Sequence, residues 1–142
     1  MDEIDQRLLS MLAEDARQPA AMLARRLGLA RSTVQARIER LERTGMIAGY
    51  TLRPGPALQP ALRATVLISI EPRAGSAVLA RLKAMPEVES VHTTSGRVDL
   101  IASLAARDTE ALDAARDRIG EARGVRGSES LIHLSTTFDR RR

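Results

Sequence analysis

Residues 53–60, RPGPALQP, divide the chain into two halves whose apolar residues recur with different periods. The segment holds three prolines and one glycine in eight residues, a composition that interrupts regular structure and is typical of linkers. Before it, apolar residues recur at helical spacing. After it, strand-like runs alternate with helical ones. We therefore predict a first domain over residues 1–52, a linker over 53–60 and a second domain over 61–142.

The first domain is predicted to contain three helices followed by a short strand. Apolar spacing and turn residues place the helices over about residues 2–15, 19–28 and 30–45. The predicted inward residues of the first two helices are Ile4, Leu8, Leu9, Leu12, Met22, Leu23 and Leu27. The run MIAGYTL, residues 46–52, has the composition of a strand. Three short helices with Gly28 at the second turn predict a helix-turn-helix domain.

The second domain is predicted to follow the order β-α-β-β-α-β. The strands are expected over residues 63–70, 88–94, 97–105 and 125–138, and the helices over 75–85 and 109–120. We expect Leu79 to face inward, Thr109 to cap its helix, and a bulge to lie near Gly127. This order is the split βαβ of ferredoxin-like domains, so the predicted fold class is α+β.

The composition excludes several kinds of site. The chain has no cysteine, which excludes disulfides and thiolate metal sites, and its two histidines, His92 and His133, make a poor metal set. We therefore predict no metal site. No catalytic residue and no cofactor are predicted either. No basic-then-apolar leader opens the chain, and no run of about 18 apolar residues occurs in it. We expect a cytoplasmic protein without a membrane partner.

Positive charge is concentrated in the part of the first domain that follows the first helix. Residues 1–15 carry a net charge of −4, whereas residues 16–53 carry +6. A basic segment of this size is a plausible footprint for a polyanion such as double-stranded DNA. A solvated surface without a partner is the other interpretation of the same charge.

The third predicted helix, ARSTVQARIERLERTG over residues 30–45, combines an apolar face with an arginine-rich face. Val34, Ile38 and Leu41 lie on one side at 100° per residue. The opposite side and its flanks hold the candidate DNA-binding residues Arg31, Ser32, Thr33, Gln35, Arg37, Arg40 and Arg43. Small residues let a backbone approach base edges, arginine and glutamine make bidentate base contacts, and further arginines bind phosphates.

An ordinary exposed helix is the alternative interpretation of this stretch. Glu39 and Glu42 would then pair with arginines three or four positions away. Ala30 stands where a capping serine or threonine is expected, so Ser32 either caps the helix or the helix start is frayed. A capping Ser32 would be less free to touch DNA.

The first domain closely resembles the opening of the Lrp/AsnC (leucine-responsive, or feast/famine) regulators. That family carries an Asp-x-x-Asp-x-x-Ile/Leu-Leu run, an Asp-Ala/Gly-Arg step, a Leu-Ala-x-x-x-Gly-Leu-Ser step and an Arg-Ile-x-x-Leu-Glu-x-x-Gly-x-Ile-x-Gly-Tyr close. The matching residues are Asp2, Asp5, Leu8, Leu9, Asp15, Arg17, Leu23, Ala24, Gly28, Leu29, Val34, Arg37, Ile38, Leu41, Glu42, Gly45, Ile47, Gly49 and Tyr50. Ala30 departs from the pattern.

The resemblance implies a sequence-specific DNA-binding transcriptional regulator that is not an enzyme. It further implies a homodimer formed by the second domain, with dimers assembling into octamers, and a small-molecule effector such as an amino acid. The family's Gly-x-x-Asp signature falls on Gly96 and Asp99. The implied effector-binding residues are Thr94, Ser95, Gly96, Arg97 and Asp99, with Thr136 on the last strand. A plain hairpin turn explains the same glycine and aspartate.

Two other functions fit the same layout. Proteins that resemble this family act as sirohaem decarboxylases, which use histidine and arginine near the tetrapyrrole, and His92 and Arg97 are the residues that would serve here. The arginine-rich third helix argues against that activity, because an enzyme need not keep a DNA-reading face. An architectural DNA-binding protein without an effector is the other alternative.

Overall fold

The computed structural model describes residues 1–139, which divide into two compact units, residues 1–53 and residues 54–139. The division falls at the start of the predicted linker, within which Pro56–Leu58 forms one 3-10 turn. The Arg140–Arg142 tail of the predicted second domain lies outside the described residues. Each unit has its own apolar core.

The first unit contains the three predicted helices, α1 (Glu3–Glu14), α2 (Ala20–Leu27) and α3 (Arg31–Arg43). Gly28 ends α2 with a φ of 68°, a left-handed conformation that glycine adopts without a Cβ penalty. The unit's buried apolar residues are Leu8, Met11, Leu12, Leu23, Ala24, Val34 and Leu41. The prediction that Met22 faces inward is wrong, because Met22 is exposed and Ala24 takes the buried position.

The predicted strand over residues 46–52 is also wrong. These residues form a turn and an irregular segment, in which the N–H of Ile47 donates to the carbonyl of Leu41 (3.0 Å). A strand needs a neighbouring strand to pair its backbone groups. The described residues of the first unit provide three helices and no such partner.

The second unit is a four-stranded antiparallel sheet with two helices on one face. Its elements are β1 (Leu62–Ile70), α4 (Gly75–Lys83), β2 (Val88–Thr93), β3 (Leu100–Ala106), α5 (Thr109–Gly120) and β4 (Val125–Ile132). The strand order is β2-β3-β1-β4, with every neighbouring pair antiparallel. This topology confirms the predicted ferredoxin-like domain and the α+β class.

The helices cover only one face of the sheet. Alternate residues of β1 and β3 are buried under α4 and α5, and the residues between them are only partly buried. The bulge is confirmed, since the β1–β4 register shifts where Arg126 is skipped beside Gly127. Two details differ from expectation: Leu79 is exposed, and Asp108 rather than Thr109 caps α5 with a side-chain bond to the N–H of Ala111 (2.8 Å).

The last strand ends at Ile132, six residues before the predicted end at residue 138. Its partner β1 begins only at Leu62, after Pro60, which has no backbone N–H to offer. One further bond, from the N–H of His133 to the carbonyl of Arg63 (2.9 Å), closes the pairing. Thr136 therefore lies beyond the sheet and is exposed.

Candidate functional site

Helix α3 separates a buried apolar face from an exposed polar face. Val34 and Leu41 are buried, and Ile38 is partly buried against the same core. Six of the seven candidate DNA-binding residues are exposed: Arg31, Ser32, Thr33, Gln35, Arg40 and Arg43. The seventh, Arg37, is only partly exposed, because it leans toward the start of α1. A shallow depression on this surface is lined by Ser32, Thr33, Ala36, Arg37 and Arg40.

The start of α3 has no side-chain cap. Ala30 occupies the cap position in an extended conformation and makes no side-chain hydrogen bond there. Ser32 lies within the first turn of the helix and is exposed. The capping role considered for Ser32 is therefore absent.

The main electrostatic feature of the unit is a charge cluster formed by Asp2, Asp5, Arg37 and Arg40. Nη1 of Arg37 donates to Asp2 Oδ2 (2.7 Å) and to Asp5 Oδ1 (2.8 Å). Nη2 of Arg40 donates to Asp5 Oδ2 (2.7 Å). The side chain of Asp5 is 1% exposed, that of Arg37 21% and that of Arg40 46%. The cluster thus runs from a buried carboxylate to a half-exposed guanidinium.

Backbone bonds at the start of α1 hold the two carboxylates in place. The N–H of Asp5 donates to Asp2 Oδ1 (2.8 Å), and the N–H of Asp2 donates to Asp5 Oδ2 (3.0 Å). This reciprocal pair is a capping box in which an aspartate replaces the usual glutamate at the third helical position. Backbone bonds of α1 therefore hold Asp5 in addition to its contacts with the two arginines.

The hydrogen bonds keep both carboxylates ionised. The backbone N–H of Asp2, followed by the guanidiniums of Arg37 and Arg40, lowers the pKa of Asp5 to about 2. The N–H of Asp5 and the guanidinium of Arg37 lower the pKa of Asp2. Hydrogen bonds to Asp2 and Asp5 raise the pKa of Arg37. Two carboxylates therefore face two guanidiniums, and the cluster is neutral as a whole.

The sequence predicts both arginines as site residues but not their carboxylate partners, Asp2 and Asp5. In the sequence, Asp2 and Asp5 match a family pattern, and the acidic opening of α1 suits the positive end of the helix dipole. Neither feature indicates a contact with α3. One signal was available: Asp5 precedes Leu8 by three and Leu12 by seven residues, so a carboxylate lies on the apolar face of α1. A buried carboxylate needs a cation, and α3 supplies two at positions three apart.

The glutamates of α3 do not form the expected arginine pairs. Glu42 accepts a hydrogen bond from the hydroxyl of Tyr50 (2.7 Å). Within residues 1–139, no ion pair joins Glu39 or Glu42 to an arginine. Arg31 and Arg43 likewise have no carboxylate within 4.0 Å among those residues. The arginines at the two ends of α3 thus keep their charge uncompensated at short range.

The predicted effector turn, residues 94–99, is stabilised through its backbone. The N–H of Thr94 donates to the carbonyl of Asp99 (3.0 Å), and its hydroxyl donates to the carbonyl of Val98 (2.8 Å). Asp99 Oδ2 accepts from the N–H of Ile70 (2.9 Å) on β1. Gly96 has a φ of 115°, which an L side chain rarely adopts. These bonds leave Ser95, Gly96 and Arg97 exposed at the tip.

The other candidate residues do not gather around this turn. Arg97 contacts Glu129 of β4 (3.3 Å), and the two side chains are 74% and 54% exposed. Thr136 lies outside any described strand and is exposed. His92 is exposed on β2, and His133 Nε2 lies 2.9 Å from the hydroxyl of Thr65.

Two negative findings apply to residues 1–139. No group of three or more histidine, aspartate or glutamate side chains there is placed to hold a metal ion. None of the described helices is both long and apolar enough to cross a bilayer.

Comparison with known proteins decides the family. Residues 1–42 match the AsnC-type helix-turn-helix domain, and residues 63–142 match the Lrp/AsnC ligand binding domain. The chain belongs to the Lrp/AsnC family. It is a helix-turn-helix transcriptional regulator with a ligand-binding domain, as its sequence predicted.

Named relatives match this regulator along nearly its whole length. It is 35% identical over 143 residues to the transcriptional regulator LrpA of Mycobacterium tuberculosis, covering 99% of this chain and 95% of LrpA. It is 31% identical over 137 residues to FL11 of Pyrococcus horikoshii, covering 96% and 91% of the two chains. A Neisseria meningitidis regulator solved as an L-Met complex shares the fold, with a TM-score of 0.90, 24% identity, and coverage of 98% and 93%.

Proposed function

We propose that this Lrp/AsnC regulator contacts double-stranded DNA through the exposed face of α3. The observation that carries the proposal is the division of α3 into a buried face with Val34 and Leu41 and an exposed face that bears arginines. Arg31 and Arg43, at its two ends, have no carboxylate within 4.0 Å in the described chain, so they remain available to phosphates. Ser32, Thr33 and Gln35 are exposed between them and offer groups that contact base edges.

A salt titration of DNA binding tests this interface. The probe is a duplex recovered by in vitro selection with the wild-type chain, and the competitor is a scrambled duplex of the same composition. Changing Arg43 to Ala should weaken binding and reduce the slope of log affinity against log salt by about one. Arg123→Ala removes an exposed arginine of the second unit and is the matched control. Equal slopes for Arg43→Ala, Arg123→Ala and wild type would reject Arg43 as a phosphate contact.

The second unit supports a homodimer through the uncovered face of its sheet. Leu67 of β1 and Ile101 of β3 lie opposite each other on that face and are only partly buried, and the neighbouring Leu131 is exposed. A second copy of the sheet would remove these side chains from water, and a dimer would carry two α3 helices to two half-sites. Assembly of dimers into octamers is expected from the family resemblance.

Sedimentation of wild type and Leu131→Asp measures both levels of assembly. We expect wild type to sediment as a dimer or a multiple of one, and Leu131→Asp to dissociate toward monomer, because the change buries a charge at the interface. Leu134→Asp, at an exposed position beyond β4, is the control. A monomeric wild type would contradict the homodimer, and a dimer at all concentrations would contradict the octamer.

The effector is proposed to be an amino acid that binds at the turn over residues 94–99. Support comes from the exposed tip of Ser95, Gly96 and Arg97, whose amides and guanidinium are suited to a carboxylate. Asp99 and Thr94 hold the turn's shape, and Thr136 remains a candidate outside it. The fold neighbour that binds L-Met adds support for this ligand class.

A thermal-shift screen of the twenty amino acids tests the effector proposal. A ligand that binds only the folded state raises the unfolding midpoint in a concentration-dependent manner. L-methionine is the first probe and D-methionine is its stereochemical control. The absence of a shift with every amino acid at millimolar concentration would favour the architectural alternative, and equal affinity for selected and scrambled DNA would favour it further.

We propose that the chain has no enzymatic activity and acts in the cytoplasm, in association with the nucleoid. The exposed arginines of α3 support a DNA-binding role over sirohaem decarboxylation, for which His92 and Arg97 were the candidate residues. Incubation with sirohaem should leave its absorbance spectrum unchanged and release no CO₂. Decarboxylation that His92→Ala abolishes would overturn this part of the proposal.

A further inference from the structure

The buried carboxylate of Asp5 contacts two arginines of α3, and the two contacts differ in what they leave free. Arg37 uses one nitrogen for both Asp2 and Asp5, and its side chain is mostly covered. Arg40 uses a single Nη2 donor for Asp5 and remains half-exposed. We infer that Asp5 is a positioning residue for DNA recognition, which holds Arg40 in one orientation at the outward surface of α3. This inference rests on the proposed DNA interface.

The geometry leaves Arg40 able to read a base. A guanidinium has five N–H donors in one plane, and Asp5 takes one of those on Nη2. One edge with two adjacent donors remains free, which is what bidentate recognition of guanine O6 and N7 requires. Arg40 also lines the depression with Ser32, Thr33 and Ala36, whose small side chains let a base edge approach.

A fixed orientation matters because arginine has a long, flexible side chain. Ordering such a side chain on binding costs entropy, and a side chain ordered before binding avoids that cost. Asp5 is itself held by the N–H of Asp2, so the orientation passes from the backbone of α1 to the guanidinium on α3. The arrangement favours a sequence-specific contact over a phosphate contact, which tolerates many orientations.

Arg37 has a different role from Arg40 in the cluster: it balances charge and is not proposed to read a base. Its bonds to Asp2 and Asp5 balance the second negative charge of the cluster. A single arginine would leave two carboxylates with one cation, and the cluster would carry a net negative charge beside the proposed DNA surface. With both arginines present, the charges of Asp2 and Asp5 are balanced, and Arg40 keeps one edge for a base.

The test compares Asp5→Asn with Glu3→Gln on two DNA probes. The first probe is the duplex selected with wild type, and the second is its scrambled counterpart. Both substitutions remove one negative charge from the first turn of α1, but Glu3 is exposed and, within residues 1–139, forms no ion pair with α3. We expect Asp5→Asn to lower the ratio of selected to scrambled affinity by about tenfold, the effect of one lost base contact, and Glu3→Gln to leave it unchanged.

A double-mutant cycle with Arg40→Ala separates positioning from folding. If Asp5 acts through Arg40, Asp5→Asn should have little further effect on the affinity ratio once Arg40 is gone. An undiminished effect in the Arg40→Ala background would overturn the inference. All affinities are measured well below the unfolding midpoint, because a role confined to stability would alter that midpoint and leave the ratio intact.

Arg40→Lys carries the test should Asp5→Asn not fold. Lysine keeps the positive charge at a half-exposed position and loses the planar fork. The expected result is wild-type affinity for scrambled DNA with a ratio about tenfold lower. An unchanged ratio would overturn the inference alone. Failure of selection to enrich any duplex would overturn the proposed interface and the inference together.

Discussion

Asp5 and Asp99 are two carboxylates that lie beneath the two candidate binding surfaces, yet they hold different kinds of group. Asp5 binds the side chains of Arg37 and Arg40, 32 and 35 residues away in sequence. Asp99 binds the backbone N–H of Ile70, and its own backbone bonds Thr94 and Ile68. The first carboxylate orients charged side chains on another helix. The second shapes a turn.

The difference predicts how each surface responds to substitution. A carboxylate that balances cations depends on its charge, because removing it leaves two guanidiniums with only one carboxylate in a partly buried place. A carboxylate that accepts one backbone N–H depends on having an oxygen there, which an amide also offers. Stability should therefore depend on the negative charge at Asp5, whereas at Asp99 it should depend on the presence of an acceptor oxygen.

The largest expected effect is the loss of stability in Asp5→Asn. An amide cannot balance both arginines, so we expect the unfolding midpoint of the first unit to fall by on the order of 10 °C. Tyr50 is the only tyrosine and the chain has no tryptophan, so tyrosine fluorescence monitors this unit. Asp99→Asn is the comparison, and it should leave the Tyr50 transition in place. Equal shifts of the Tyr50 unfolding midpoint in Asp5→Asn and Asp99→Asn would contradict the proposed difference between the two carboxylates.

Acid should remove the same contribution in wild type. Asp5 has a folded pKa of about 2, below its ordinary 3.8, so the unfolded state binds more protons between these values. The carboxylate's contribution is complete above about pH 4 and is lost as the pH falls through 2. The Tyr50-detected denaturation midpoint should therefore decline more steeply in wild type than in Asp5→Asn over this range. Parallel declines would show that the ionisation of Asp5 does not stabilise the unit.

The sequence predicted the framework of both sites better than their internal contacts. Periodicity located α3 and its apolar side, since Val34 and Leu41 repeat at helical spacing. It also gave the β-α-β-β-α-β order, since alternation in β1 and β3 reflects one covered face. These features depend on neighbours in sequence.

Apart from the cap of α5, the main errors and omissions depend on partners distant in sequence. Residues 46–52 have strand composition but no strand to pair with. The end of β4 is set by its antiparallel partner, because β4 ends beside the start of β1. Met22 fits the apolar spacing of α2, but the packing of the neighbouring helices decides which positions of α2 are buried, and Met22 is exposed. The contact between Asp5 and Arg40 spans 35 residues, and a charge pattern along one helix does not reveal it.

A smaller effect is expected at the turn of the second unit. Asp99→Ala removes the acceptor of the Ile70 N–H and should cost about 1–3 kcal/mol, the range for a polar group left unsatisfied. Asp99→Asn places an amide oxygen at the same position and should cost less. Hydrogen exchange of the Ile70 amide measures the bond directly, and it should speed up in Asp99→Ala. Protection retained in Asp99→Ala would mean that this bond does not shape the turn.

The smallest stability effect is expected at Arg97, which makes it the sharpest test of a binding role. Its ion pair with Glu129 is 3.3 Å long and solvent-exposed, so Arg97→Gln and Glu129→Gln should each change the unfolding free energy by less than about 0.5 kcal/mol. Both variants break the same pair, but only Arg97→Gln removes a cation from the tip of the turn. If Arg97 binds the effector's carboxylate, Arg97→Gln should reduce the thermal shift produced by the best amino acid of the screen, and Glu129→Gln should preserve it. Equal reductions would assign the effect to the ion pair, and an undiminished shift in Arg97→Gln would exclude Arg97 from the effector site.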